Sequence, residues 1–127
     1  ITGLPIGVGE PIFDKLQSHL AFAMMSINAC KGFEYGSGFE GVNKKGSEMY
    51  LSEDTRLISG GIAGGISDGT PIVFRCVFKP TASSRKTFEA RGERREARGR
   101  HDACVAVRAV PVVEAMAAMV LADWHDF

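Results

Sequence analysis

"GGIAGGISDGTPIVFRCVFKP", residues 60–80, holds the two signals on which the fold class turns. Its second half alternates: Ile72, Phe74, Cys76 and Phe78 fall on one face, Val73, Arg75 and Val77 on the other, and Pro80 ends the run. A period of two with one wholly apolar face predicts a β-strand laid against a core. The first half sets Gly60, Gly61, Gly64, Gly65 and Gly69 around Ile62, Ala63 and Ile66. So much glycine costs conformational entropy, which points to unusual backbone dihedrals or to something that approaches the backbone closely. Two readings stay open: tight backbone packing with a bulged strand, or a cradle of N–H groups for a phosphate or cofactor. The block lacks the GK[ST] of a P-loop and does not match G-x-G-x-x-G, so neither of those motifs is present.

Working outward, Ile12, Phe13, Leu16, Leu20, Met24 and Ile27 recur at helical spacing behind Pro11, which predicts a helix opened by that proline. From Ala21 to Met25 it is apolar all round, which predicts burial on several sides. "CKGFEYGSGFEG" (30–41) reads as a short strand and a turn, and "NKKGSEMYLSEDTRLIS" (43–59) as a loop or edge excursion. Downstream, "SRKTFEARGERREARGR" (84–100) carries six arginines, one lysine and three glutamates. "ACVAVRAV" (103–110) reads as a short strand, and Pro111 as the opening of a helix through Val112, Val113, Met116, Ala117, Met119, Val120 and Leu121, covered on nearly all sides. Apolar helices among short strands predict an α+β fold, a layered sandwich with buried helices between antiparallel sheets, over one unit spanning 1–127.

With 127 residues, 45% of them hydrophobic, the chain suits one domain with a moderate core. Fifteen Lys and Arg balance fifteen Asp and Glu, so overall charge gives no pull toward nucleic acid or an acidic membrane. Cys30, Cys76 and Cys104 are odd in number, form no C-x-x-C pair and sit in apolar stretches, which predicts reduced, buried thiols and a cytoplasmic setting. No signal peptide is visible, and no apolar run reaches the roughly 18 residues that would suggest a membrane span. A start without Met, inside the turn-like "ITGLPIGVGEP", suggests a piece of a longer protein.

Three constellations could carry chemistry. "KPTAS" (79–83) places a cation and two hydroxyls at a strand end, where ligand groups gather, although an ordinary solvated turn has the same composition. The Arg85–Arg98 stretch could grip RNA, but its interleaved glutamates and single aromatic, Phe88, favour a solvated loop or ribbon. His19, His101 and His125 show no metal-ligand spacing, so no metal is expected. Arg100, His101 and Asp102 combine a permanent cation, an imidazole and a carboxylate, which together offer anion binding and proton transfer; a structural Asp–Arg pair explains them equally well.

"GVGEPIFDKLQSHLAFAMMSINACKGFEYGSGF", "GGIAGGISDGTPIVFRCVFKPTAS" and "GRHDACVAVRAVPVVEAMAAMVLAD", in that order, resemble the C-terminal part of the chorismate synthase family over nearly the whole chain. The resemblance implies a lyase of the shikimate pathway of aromatic amino acid biosynthesis, eliminating phosphate from 5-enolpyruvylshikimate 3-phosphate to give chorismate with reduced FMN. Members are homotetramers, and a flavin reductase activity found in some brings NADP among the expected ligands. Carried over residue by residue, flavin contacts fall on Asn28, Ala29, Gly64, Lys79, Pro80, Thr81, Ala82, Ser83 and Arg100. The catalytic set falls on Asp102, Arg100 and His101, with Asp102 nearest the flavin and His101 in support.

The chain departs from the family pattern at Ala103, where a proline is usual, and at Ile58 and Ser59, which precede Gly60 where the family has an Asn. The family's N-terminal histidines and substrate-binding arginines are not in this chain, which predicts a half site, inactive alone. A non-catalytic binding or assembly module keeping the fold is the alternative, and RNA binding through residues 85–100 a third reading. No nucleic-acid or membrane partner is expected.

Overall fold

A computed structural model describes residues 1–50, 58–81, 87–96 and 104–124. In chain order it contains helix α1 (Leu16–Met25), strand β1 (Cys30–Tyr35), a 3-10 segment (Gly38–Asn43), the short helix α2 (Gly46–Tyr50), strands β2 (Ile62–Ala63), β3 (Ile66–Ser67), β4 (Phe74–Phe78), β5 (Thr87–Ala90) and β6 (Glu93–Glu96), and helix α3 (Val105–Ala122). β1 pairs with β4, β2 with β3 and β5 with β6, all antiparallel. The fold is α+β, as the alternation of apolar helices and short strands predicts.

The core forms around α1, which packs on β1 and on α3. Leu16, Leu20 and Met24 repeat every four residues, line one face and are fully buried. Burying each such side chain contributes roughly 1.5–3 kcal/mol. Val8, Ile62, Ile72 and Ala117 close around them, with Phe33, Phe74 and Cys76 of the β1–β4 pair at the margin. The alternation in residues 72–78 is therefore realised as read. On the opposite face Arg75 meets Glu34 directly across the register, Nε to Oε1 2.7 Å.

The glycine block packs backbone on backbone. β2 and β3 form a hairpin whose two-residue turn, Gly64–Gly65, takes φ of +62° and +102°, the combination that matches the strands' twist. Gly65 turns its carbonyl to the Leu16 N–H at 2.8 Å, so the hairpin holds the first turn of α1. A Cβ on Gly65 would stand 2.6 Å from the Glu10 carbonyl oxygen. Beside the hairpin, buried Ser67 accepts from the Val8 N–H at 2.9 Å and donates to the Pro5 carbonyl at 2.6 Å, which satisfies its hydroxyl in both senses.

Several expectations change. α1 begins at Leu16 and not behind Pro11: the Glu10 N–H turns to the Asp14 carbonyl at 3.0 Å, Lys15 is extended (ψ 133°), and Ile12 and Phe13 are exposed. Residues 105–110 are not a strand. They form the first turns of α3, with Pro111 inside the helix. Pro111 has no N–H to bond the carbonyl four residues back, at Val107, an exposed residue. Among the described residues neither helix is covered on all sides, because Phe22 on α1 and Val107, Val110, Val112 and Met119 on α3 are exposed. Cys104 is exposed, while Cys30 is buried and Cys76 half-buried. By length and composition α3 could cross a membrane, since Arg108 and Glu114 interrupt the apolar run without lowering its average much.

The region read as a loop at 43–59 includes α2, and the arginine-rich stretch includes a ribbon. Strands β5 and β6 are joined by Arg91 and Gly92 at φ +56° and +76°. Glu89 stands opposite Arg94 across it, both exposed, in keeping with a solvated ribbon.

Candidate functional site

The site residues within the described chain fall into two places. After α1 the chain turns through Ile27, Asn28 and Ala29, closed by the Cys30 N–H to the Ile27 carbonyl at 3.1 Å. Ala29 takes φ +70°, a region that non-glycine residues seldom occupy and that concentrates at functional turns. Its carbonyl accepts the Lys79 N–H at 2.9 Å, extending the β1–β4 ladder one step past the Cys30–Phe78 pair. Asn28 and Ala29 are thereby joined to Lys79, Pro80 and Thr81, although about fifty positions separate them along the chain.

At this junction Asn28, Lys79 and Pro80 are exposed, and Ala29 and Thr81 half-buried. The side chains offer an amide, an ammonium and a hydroxyl, a donor set suited to an anionic, hydroxyl-bearing ligand. A groove of about 890 Å³ runs between β4 and α3, lined by apolar side chains and by Glu114. Phe78, at one of its ends, is the residue before Lys79.

Gly64 lies elsewhere. Its hairpin holds the N-terminal end of α1, whereas Asn28 and Ala29 follow the C-terminal end, and ten residues of helix span about 15 Å. A Cβ at Gly64 would meet nothing within 4 Å among the described residues, which leave the space over this turn open. Gly65 beside it is explained by packing, whereas Gly64 is left with its positive φ and a clear face. The structure thus joins two of the predicted segments and keeps the third apart.

Ala82, Ser83, Arg100, His101 and Asp102 lie outside the described residues, as does Ala103. Ser59, at the edge of the glycine block, donates to Asp68 at 3.4 Å and accepts the Gly61 N–H at 3.4 Å. Asp68 also accepts the Thr70 hydroxyl at 2.6 Å and the Thr70 N–H at 2.9 Å. These bonds, the Thr70 hydroxyl first, hold the Asp68 carboxyl below its ordinary value of 3.8. The sequence gives no sign of this knot, nor of the left-handed turn at Ala29, since an alanine carries no signature of its backbone angle.

The chorismate synthase family model matches residues 1–125. Chorismate synthase of Christiangramia forsetii is 52% identical over 135 residues, covering 98% of this chain and 38% of that protein. The Synechocystis protein of the same name is 54% identical over 137 residues, covering 97% and 38%. A crystal structure of chorismate synthase superposes with a TM-score of 0.70 at 34% identity, covering 97% of this chain and 34% of that one. The chain therefore spans little more than a third of the length of these relatives. The match runs continuously through the helix–turn–strand unit, the glycine hairpin and the Lys79 junction, and this chain belongs to the chorismate synthase family.

Proposed function

We propose that this chain supplies part of the flavin and substrate site of a chorismate synthase, which eliminates phosphate and a ring proton from 5-enolpyruvylshikimate 3-phosphate to yield chorismate. The observation that carries the reading is the Ala29–Lys79 bond, which sets the two family flavin segments, Asn28–Ala29 and Lys79–Pro80–Thr81, side by side on one face. Lys79 and Asn28 would hold polar groups of FMN, Thr81, Ala82 and Ser83 would continue that contact, and the open face over Gly64 would admit a ligand close to its backbone. Reduced FMN held by these residues would supply electron density for cleavage of the C–O bond, without net redox change.

The remaining chemistry belongs to side chains of this chain and of the rest of a family-length protein. Arg100, with its fork of donors, would clamp an anionic group of flavin or substrate. Asp102, supported by His101, would hold or move a proton near the flavin. Stabilising the departing phosphate needs several converging cations, and the family's substrate-binding arginines and acid histidines belong to its N-terminal part, so the chain alone is expected to be inactive.

The exposed apolar residues of α3 and the β4–α3 groove support contacts with further protein, in keeping with a family-length subunit and a tetramer. A cytoplasmic enzyme follows from the same reading. Titration of FMN with the chain, followed by flavin fluorescence, tests the half site. The reading expects saturable binding that weakens in Lys79→Ala. Binding unchanged by Lys79→Ala, or equal in a heat-unfolded sample, contradicts it.

A further inference from the structure

Cys30 and Cys76 stand on neighbouring strands beside the junction and have no part in the proposed elimination. Cys30 pairs with Phe78 and Cys76 with Phe33, which makes the two cysteines diagonal neighbours across β1 and β4. Phe78 and Cys76, two apart on β4, share a face, and both line the groove against α3. Cys30 is 7% exposed and lies opposite Phe78, whereas Cys76 is reached from the groove.

Diagonal neighbours in a regular ladder are about 7–8 Å apart, and a disulfide spans Cα atoms up to about 6.8 Å, so a flat ladder would fall short by on the order of 1 Å. The ladder here is not regular. Its register shifts between Cys30 and Gly32, a bulge at the Cys30 end of the pair. The extra residue of the bulge, Lys31, stays out of the ladder and the strand bends there, which loosens the spacing next to Cys30.

We propose that Cys30 and Cys76 are a redox-responsive thiol pair, closed to a disulfide by small-molecule disulfides such as oxidised glutathione. Cys76 attacks one glutathione sulfur as thiolate and releases one glutathione. Cys30, deprotonated in turn, displaces the second from the mixed disulfide. In sum the two protein thiols lose two protons and two electrons, and the oxidant leaves as two thiols. The bridge would tie β1 to β4 one residue from the Ala29–Lys79 bond, stiffening that turn.

The reduced pair is slow to react at neutral pH. Burial, with Cys30's charge and hydrogen bond behind it, pushes the Cys76 thiol up to about 11. Thiolate is therefore scarce, and closure should quicken about tenfold for each unit by which pH rises toward that value.

The experiment uses the chain with the exposed Cys104 replaced, Cys104→Ser, to remove intermolecular bridging. After incubation with oxidised glutathione in native buffer, peptide mapping by mass spectrometry should show Cys30 linked to Cys76, no free thiol, and full reversal by dithiothreitol. Two free thiols remaining, a glutathione adduct on Cys76 that never resolves, or a bridge formed only in urea would each overturn the proposal. Thiol counting does not involve FMN, so the outcome is independent of the flavin reading.

Discussion

Lys79 and Ala29 are joined backbone to backbone, the Lys79 N–H donating to the Ala29 carbonyl at 2.9 Å while Ala29 sits at φ +70°. The bond converts two remote segments into one turn, and its geometry depends on a residue that tolerates the left-handed region.

Substitution at Ala29 should follow that constraint. Ala29→Gly should be neutral or mildly stabilising, because glycine takes φ +70° without strain. Ala29→Val should cost about 1–3 kcal/mol, since a β-branched side chain is an outlier there. Urea unfolding followed by circular dichroism separates the two. Equal stability of both variants would show that the turn relaxes to ordinary dihedrals.

The two turn glycines should separate stability from binding. Gly65→Ala puts a methyl 2.6 Å from the Glu10 carbonyl and disturbs the contact that starts α1, so it should lower the melting temperature more than Gly64→Ala. Gly64→Ala meets no atom and should cost about 1 kcal/mol from its backbone angle alone. If the open face over Gly64 receives flavin, the same variant should nonetheless weaken FMN binding. A melting series beside flavin titrations reads both quantities.

Leu20 lies at the centre of the buried stripe of α1. Leu20→Ala should destabilise by about 2–5 kcal/mol through lost burial and the cavity left behind. Ser18→Ala, on the exposed face of the same helix, should stay within about 0.5 kcal/mol. Comparable losses at the two positions, measured by urea denaturation, would refute the assignment of the core face.

Asp68 provides the pH test. Its carboxyl is held below 3.8 by the Thr70 hydroxyl and its other bonds, so the folded state binds its proton less readily than the unfolded chain. The contribution is therefore complete above pH 3.8 and is lost as pH falls through the lower folded value. Wild type should exceed Asp68→Asn in stability at neutral pH, and the gap should narrow only below pH 3.8. A gap that narrows near neutrality instead would assign the effect to another group.

How much of this was legible follows from which forces act locally. The strand at Phe74–Phe78 and the stripe Leu16, Leu20, Met24 were readable because side-chain period and burial coincide there. Val105–Val110 misled because valines spaced as in a strand also fit a helix, and Pro111 lies inside that helix where it reads as a helix start. The start of α1 was hidden because the Gly65 carbonyl, far along the chain, decides it in place of Pro11. Composition alone could not separate Gly64 from Gly65, since only the surrounding backbone tells an open face from a packed one. At the site, the family blocks identified Asn28, Lys79 and their neighbours, while the bond that unites them is a property of the β1–β4 register.

A chimera asks whether these residues form part of a chorismate synthase site. The matched 38% of the Christiangramia forsetii enzyme is replaced by this chain, and conversion of 5-enolpyruvylshikimate 3-phosphate is followed with reduced FMN. The chimera should form chorismate, the 127-residue chain alone should form none, and Lys79→Ala in the chimera should lower its FMN affinity. A folded chimera that forms no chorismate, or one whose FMN affinity is indifferent to Lys79→Ala, would contradict it.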